Sequence, residues 1–311
     1  MRTLRIGTRG SELALAQTRL AIAALQQVHP GLQCEYIVIS TPGDQRTDIP
    51  LHQVNAATGT GDKGVFIATI EEALAAGEID CAVHSLKDMP GVLDARFCLA
   101  AVLPREDIRD ALVYKPGVEW AAGATVATGS VRRMHLVHSR WQGLVDTVPV
   151  RGNVATRLRK LVENPEVQGT LLARAGLNRL GYGREEIVVD GCRLGVEILS
   201  PDEFAPALGQ GAIALETRRD DAEACALVSA VNDVPTSLCI RCEREFLRLL
   251  QADCSVPVGG YALCTPEGGI SLSVVYYRRP GDCLRVQVAG GSGEPPESVA
   301  ARAHAVLQQQ L

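Results

Sequence analysis

Short apolar runs alternate with helical patterns over the first 220 residues, and this alternation constrains the fold more than any other feature. "LRIGTR" reads as a strand. "SELALAQTRLAIAALQQVHPG" reads as a helix, opened by Ser11 as N-cap and stopped by Pro30 and Gly31. "CEYIVIS" is a second strand, "VFIATIEEALAAGE" a helix ended near Gly77, and "IDCAV" a buried strand. A strand that feeds a helix that feeds a strand is a βαβ unit, so the reading is α/β with mainly parallel sheets. "VLPREDIRDALVY" reads as a crossing into a second domain, residues 105–197. That domain repeats the rhythm through "ATVATGS", "VRRMHLVHSRW", "DTVPVRG", "NVATRLRKLVE" and "GTLLARAGLNRLG". From residue 222 to 311 the pattern changes. Two helices, "DAEACALVSAVND" and "TSLCIRCEREFLRLLQ", precede strands "GYALCT", "ISLSVVYY" and "CLRVQVA" and a terminal helix, which is an α+β pattern.

Composition narrows the class. A chain of 311 residues with 46% hydrophobic content can bury two or three cores. Aromatics at 4% argue against a stacking platform for single-stranded nucleic acid, and a net charge of −5 gives no global attraction to nucleic acid or anionic membrane. The start, "MRTLRIGTRGSELALAQ", lacks an uninterrupted apolar h-region, and no apolar run approaches the roughly 20 residues of a bilayer span. The expectation is a cytoplasmic protein with no membrane partner, whose ten cysteines are mostly reduced thiols.

Arginines gather beside strand ends. "TGSVRR" places Arg132 and Arg133 at a helix start, "VRGNVATRLRK" places Arg151 at a strand end and Arg157 one turn into a helix, and Arg9 precedes the helix start at Ser11. Helix N-termini carry free N–H groups and a positive dipole end, and guanidiniums grip planar carboxylates in pairs. The plainer alternative is solvated helix faces, which one cluster would suit better than three. "VHSLKDMP" ends a buried strand with Ser85, Lys87 and Asp88. Asp88 is either a turn former or an acid set among cations, able to stabilise a cationic intermediate or move a proton. Cys239 and Cys242 form a CxxC that, with Cys254 and Cys264, superficially resembles a zinc site; helical periodicity through "TSLCIRCEREFLRLL" favours structural thiols, and no metal is expected. Cys254 sits in the Gly-flanked loop of "LLQADCSVPVGGYAL"; an ordinary small residue is the plainer reading, and, with no histidine nearby to act as its base, a functional thiol here suits a permanent covalent anchor better than a cycling nucleophile.

Nine segments in order carry a resemblance over nearly the whole chain: "RIGTRGSELALAQ", "GDKGVF", "VHSLKDMP", "LPREDIRDAL", "ATGSVRR", "VRGNVATRL", "AGLNRLG", "PALGQGAIALE" and "ADCSVPVGGYA". Together they resemble the porphobilinogen deaminase family of tetrapyrrole biosynthesis. The resemblance implies a dipyrromethane cofactor, made from substrate and held on Cys254 through a thioether. It implies stepwise addition of four porphobilinogen units with loss of ammonia, then hydrolysis to hydroxymethylbilane. Each pyrrole carries an acetate and a propionate, which explains an arginine-rich site in an acidic protein. By motif position, Asp88 resembles the catalytic acid. Arg9, Ser11, Arg132, Arg133, Arg151, Arg157 and Arg179 resemble carboxylate ligands, with Lys87, Thr128 and Ser130 as supporting donors and Gln17, Ser85 and Lys63 as further candidates.

The resemblance also implies a fold of three domains. Two are periplasmic-binding-protein-like α/β domains with a central cleft, and a C-terminal α+β domain carries the cofactor cysteine. "PDEFAPALGQGAIALETR" then returns to the first domain, which comprises residues 1–101 and 201–219, and residues 42–63 form a mobile lid. A monomer is implied, with product passed to uroporphyrinogen-III synthase. The chain departs from the family pattern at Ala68, where a lysine is usual, at Ala252-Asp253 before the anchor cysteine, and at "EVQGT". The rival readings are a binding protein for a small anionic ligand and a zinc or redox module around the four cysteines.

Overall fold

The structure, a computed structural model, describes residues 3–41, 67–183, 185–251, 256–279 and 281–311. The expected lid at 42–63, with Lys63, and the expected anchor Cys254 lie outside the described residues. The chain begins with β1 (Leu4–Thr8), α1 (Glu12–Val28) and β2 (Cys34–Val38). Next come α2 (Ala68–Ala75), β3 (Cys81–Ser85), a single 3-10 turn (Leu86–Asp88) and β4 (Phe97–Val102). β5 (Asp110–Tyr114), β6 (Thr125–Ala127), α3 (Val131–Arg140), β7 (Asp146–Val148) and α4 (Val154–Glu163) follow. Then β8 (Gly169–Ala173), α5 (Arg174–Arg179), β9 (Glu186–Val189), β10 (Cys192–Ile198), β11 (Ile213–Arg218) and α6 (Ala222–Ser229). The chain closes with α7 (Val234–Leu250), β12 (Val258–Cys264), β13 (Ile270–Arg279), β14 (Asp282–Ala289) and α8 (Pro296–Gln308).

Two compact units form: residues 1–106 with 211–237, and residues 107–210 with 238–311. In the first, a five-stranded sheet runs β2-β1-β3-β11-β4. Strands alternate their faces, and both faces are covered. Leu4, Ile6, Cys81 and Val83 pack with Ala21 and Leu25 of α1 and Val228 of α6, whereas Ala82 packs with Ile70 and Leu74 of α2 on the other side. Each fully buried leucine or isoleucine among them contributes about 1.5–3 kcal/mol. Helix α1 begins where expected, with Ser11 Oγ accepting from the Ala14 amide at 3.3 Å.

In the second unit, a six-stranded sheet runs β7-β6-β8-β5-β10-β9. Ala111 and Val113 pack with Leu158 and Leu161 of α4 and Leu177 of α5. Leu112, Val126 and Leu171 face Leu136 and Val137 of α3, together with Val275 and Tyr277 of β13. The remaining three strands form an antiparallel sheet, β12-β13-β14. The other face of β13, with Ile270, Leu272 and Val274, packs on Cys242 and Phe246 of α7 and Val299, Ala303 and Leu307 of α8.

The sheets are mixed, which corrects the expectation of mainly parallel pairing. β1 pairs parallel with β2 and β3, and β6 with β7 and β8. β11 pairs antiparallel with β3 and β4, and the ladder β8-β5-β10-β9 is antiparallel throughout. Of the antiparallel strands, β10 and β11 each follow a strand with no helix between. β9 and β10 form a two-residue hairpin at Asp190-Gly191, both with positive φ (48° and 80°), the signature of a primed turn. Among the described residues, no helix is long and apolar enough to cross a membrane.

Candidate active site

In the first unit the candidate residues cluster at the carboxyl ends of β1 and β3, which are parallel neighbours. β1 ends at Thr8, whose buried hydroxyl lies 2.8 Å from that of Thr18 on α1. The chain then turns through half-buried Arg9 to the cap Ser11. β3 ends at Ser85, and the buried Gln17 amide lies against its hydroxyl, Nε2 2.9 Å and Oε1 3.0 Å from Oγ. The structure thus brings two of the further candidates, Gln17 and Ser85, together as a clamp between α1 and β3.

Asp88 closes the 3-10 turn after β3. The turn is held from below: Leu86 and Met89 are buried, and the Leu86 amide donates to the Ala212 carbonyl at 3.1 Å. Lys87 is half-buried, whereas Asp88 is exposed. An anchored turn therefore presents a solvent-facing carboxylate. Behind it, His84 Nε2 lies 3.0 Å from Glu216 Oε2, both fully buried within the sheet.

In the second unit the candidates lie at the ends of β6, β7 and β8. After β6 the Ser130 amide donates to Thr128 Oγ1 at 3.2 Å, and Ser130 Oγ caps α3 by accepting from the Arg133 amide. Gly129 is required here, because a Cβ would stand 2.8 Å from the Val150 carbonyl oxygen. That approach brings the loop after β6 against the loop after β7, which carries Arg151. Asn153 caps α4, Arg157 Nε donates to the Gly152 carbonyl at 2.9 Å, and Lys160 Nζ donates to that of Arg151. Arg151, Arg157 and Arg179 are each half-buried, Arg179 at the last position of α5.

Arg132 and Arg133 turn inward. Arg133 grips Asp110 in two-point fashion, Nη2 to Oδ1 at 2.7 Å and Nε to Oδ2 at 3.2 Å, and its Nη1 donates to the Leu171 carbonyl. Arg132 Nη2 donates to Asp110 Oδ2 at 2.9 Å, and its Nη1 to the Ala205 carbonyl. Gln210 Nε2 completes the cage, donating to Asp110 Oδ1 at 2.9 Å. Burial alone would raise the Asp110 carboxyl, but the two guanidiniums and the Gln210 amide hold it far below the ordinary carboxylate range. Two cations around one anion leave the cluster a single net positive charge. Asp110 and Gln210 escaped the sequence reading. The signal available was an acid in "LPREDIRDAL" where the second domain begins, but nothing local paired it with "GSVRR".

The chemistry of the donor set fits a polycarboxylate. Three helix N-termini, those of α1, α3 and α4, follow strand ends, each with a hydroxyl or amide cap and an arginine beside it. Among the described residues, no three His, Cys, Asp or Glu side chains converge as a metal site. Cys242 is buried on α7, and that burial, with the charge of Glu243, pushes its thiol up to about 12. It is therefore a poor alternative to Cys254 as a thiolate anchor.

Comparison with known proteins gives two family matches. The family described as porphobilinogen deaminase, dipyromethane cofactor binding domain, matches residues 4–226, and the porphobilinogen deaminase C-terminal domain matches residues 237–296. The porphobilinogen deaminase of Roseiflexus sp. is 42% identical over 311 residues, covering 99% of this chain and 96% of its own. That of Halalkalibacterium halodurans is 38% identical over 312 residues, with 99% and 95% covered. That of Syntrophotalea carbinolica is 44% identical over 263 residues, with 83% and 78% covered.

Proposed function

The chain belongs to the porphobilinogen deaminase family, and on that premise we propose how its own side chains divide the reaction. The reaction joins four porphobilinogen molecules head to tail with loss of ammonia, then releases hydroxymethylbilane by hydrolysis, a transferase step of tetrapyrrole and heme biosynthesis. The dipyrromethane, bound as a thioether to Cys254, supplies the pyrrole end that is extended and stays behind when product leaves.

Asp88 is the catalytic carboxylate. Each addition breaks the C–N bond to the departing ammonia, forms one C–C bond and frees one proton from the acceptor carbon. A carboxylate held against the cation that forms on the substrate lowers that barrier, and it then takes up the proton. The observation that carries this role is the exposure of Asp88 on a turn whose flanking Leu86 and Met89 are buried. A fixed carboxylate needs no reorganisation at the moment charge develops.

Arg9, Ser11 and Lys87 in one unit, and Thr128, Ser130, Arg151, Arg157 and Arg179 in the other, hold the acetate and propionate groups. Arg132 and Arg133 contribute the residual positive charge of their Asp110 cluster and fix the start of α3. Residues 238–311, within the second unit, include the segment that carries Cys254, whereas 222–237, expected to open that domain, belong to the first unit. The proposal extends to a cytoplasmic monomer whose product passes to uroporphyrinogen-III synthase, on the strength of the family resemblance; fractionation and sedimentation test both points.

Intact mass of the purified protein under reducing conditions, with mapping of the Cys254 peptide, tests the reading. The expected result is a surplus of two linked pyrrole units on Cys254 that grows ring by ring when porphobilinogen is added. An unmodified Cys254 after incubation with porphobilinogen would remove the covalent mechanism.

A further inference from the structure

Cys239 and Cys264 meet in the second unit with their sulfurs 3.7 Å apart. Cys239 is buried in the first half of α7, and Cys264 is exposed at the last residue of β12. In the chain, these two elements flank the segment that contains Cys254. We propose that Cys239 and Cys264 form a reversible disulfide site, a redox-driven modification that closes the chain covalently around the cofactor-attachment segment.

The arrangement suits a two-step exchange. A disulfide needs its sulfurs at about 2.05 Å and Cβ atoms near 3.8 Å, so side-chain rotation must close the remaining gap of less than 2 Å. The exposed Cys264 reaches solvent and is the point of attack, while the buried Cys239 is shielded from direct reaction and acts as the resolving thiol. With oxidised glutathione as oxidant, the Cys264 thiolate attacks one glutathione sulfur. The glutathione S–S bond breaks, and one glutathione thiolate leaves. Cys239 then gives up its proton and attacks Cys264 Sγ, the mixed disulfide breaks, and the second glutathione departs. Overall one glutathione disulfide is reduced to two thiols, and the protein loses two hydrogens.

A second close pair sharpens the choice. Cys98 and Cys225 in the first unit lie 3.9 Å apart, but both are half-buried and engaged with Thr217, whose Oγ1 is 3.4 Å from Cys98 and 3.1 Å from Cys225. Cys225 also donates to the Arg218 carbonyl, and burial raises the Cys98 thiol. Neither sulfur of that pair offers the exposed attacking thiol that Cys264 supplies.

The test treats the folded holoenzyme with oxidised glutathione in native buffer and maps it without reduction. Trypsin separates the two cysteines into peptides 220–241 and 249–278, and fragmentation distinguishes Cys239 from Cys225 and Cys264 from Cys254. The expected product joins Cys239 to Cys264, weighs two hydrogens less than the parent, and reverts with dithiothreitol. Cys239→Ser should instead stop at a glutathione adduct on Cys264. Cys264→Ser should lack the link while keeping wild-type activity. A stable glutathione adduct on Cys264 in the wild type, a first link between Cys98 and Cys225, or a Cys264 that stays alkylatable throughout would each overturn the proposal.

Discussion

Asp88 and Asp110 are both acids within motifs that contain basic residues, yet they stand in opposite surroundings. Asp88 is exposed at the end of an anchored turn. Asp110 is wholly buried and receives donors from Arg132, Arg133 and Gln210. A buried carboxylate whose lone pairs are filled has nothing left with which to meet a substrate. An exposed one on a rigid support can meet developing charge. The proposed reading gives chemistry to the first and architecture to the second, although the arginines around Asp110 are the ones sequence reading had placed against the ligand.

Asp88→Asn breaks the comparison most sharply. The shape of the turn is kept and the negative charge is lost, so kcat should fall by about 10³-fold or more while the thermal midpoint stays within about 2 °C of wild type. Steady-state turnover with porphobilinogen and a thermal melt decide it. A large loss of stability with modest loss of turnover would mean that Asp88 is the structural acid.

Asp110→Asn should give the reverse signature. Two buried guanidiniums would lose the charge that balances them, a defect worth roughly 3–5 kcal/mol. The melt should drop by roughly 10 °C or more, with turnover per folded molecule reduced far less than in Asp88→Asn. If Asp110→Asn folds normally and binds no cofactor, the cluster belongs to the binding site rather than to its frame.

Acid titration tests the Asp110 side of the comparison, with a smaller effect. The folded pKa of Asp110 lies below the unfolded value near 4. The unfolded chain therefore binds the proton first as pH falls, and the stability that Asp110 supplies, fully present above pH 4, is lost below it. The slope is at most about 1.4 kcal/mol per pH unit. Urea midpoints between pH 5 and pH 3 should fall less steeply in Asp110→Asn than in wild type.

How much of this was legible depends on the range of the interaction. Helix α1 and its Ser11 cap were readable because both signals sit within four residues of each other. The strands of β1, β3, β6 and β8 were readable because their apolar runs are short and bounded. The Asp190-Gly191 hairpin had a readable signal that the βαβ rhythm masked. Asp110 and Gln210 were not readable, since 100 positions separate them and only the folded second unit brings them within 2.9 Å. Asp88 was readable as an acid before Pro90, but its exposure depends on Leu86 and Met89 packing beneath it. The mixed strand order depends on β11 pairing between β3 and β4, which no local pattern encodes.

The smallest expected effect concerns Ser130, which touches both sides of the comparison. Its hydroxyl caps α3, the helix that carries Arg132 and Arg133, and its motif position suggests a donor to a substrate carboxylate. Ser130→Ala removes the cap and should cost about 1 kcal/mol of stability. If Ser130 is only a cap, KM stays unchanged and Ser130→Asp, which also caps, restores the melt with no kinetic penalty. If it also meets a carboxylate, Ser130→Asp restores the melt but raises KM through like-charge repulsion, whereas Ser130→Thr, with its hydroxyl, recovers both. The divergence of melt and KM between these two cap-competent variants therefore shows whether the start of α3 belongs only to the frame around Asp110 or also meets a substrate carboxylate.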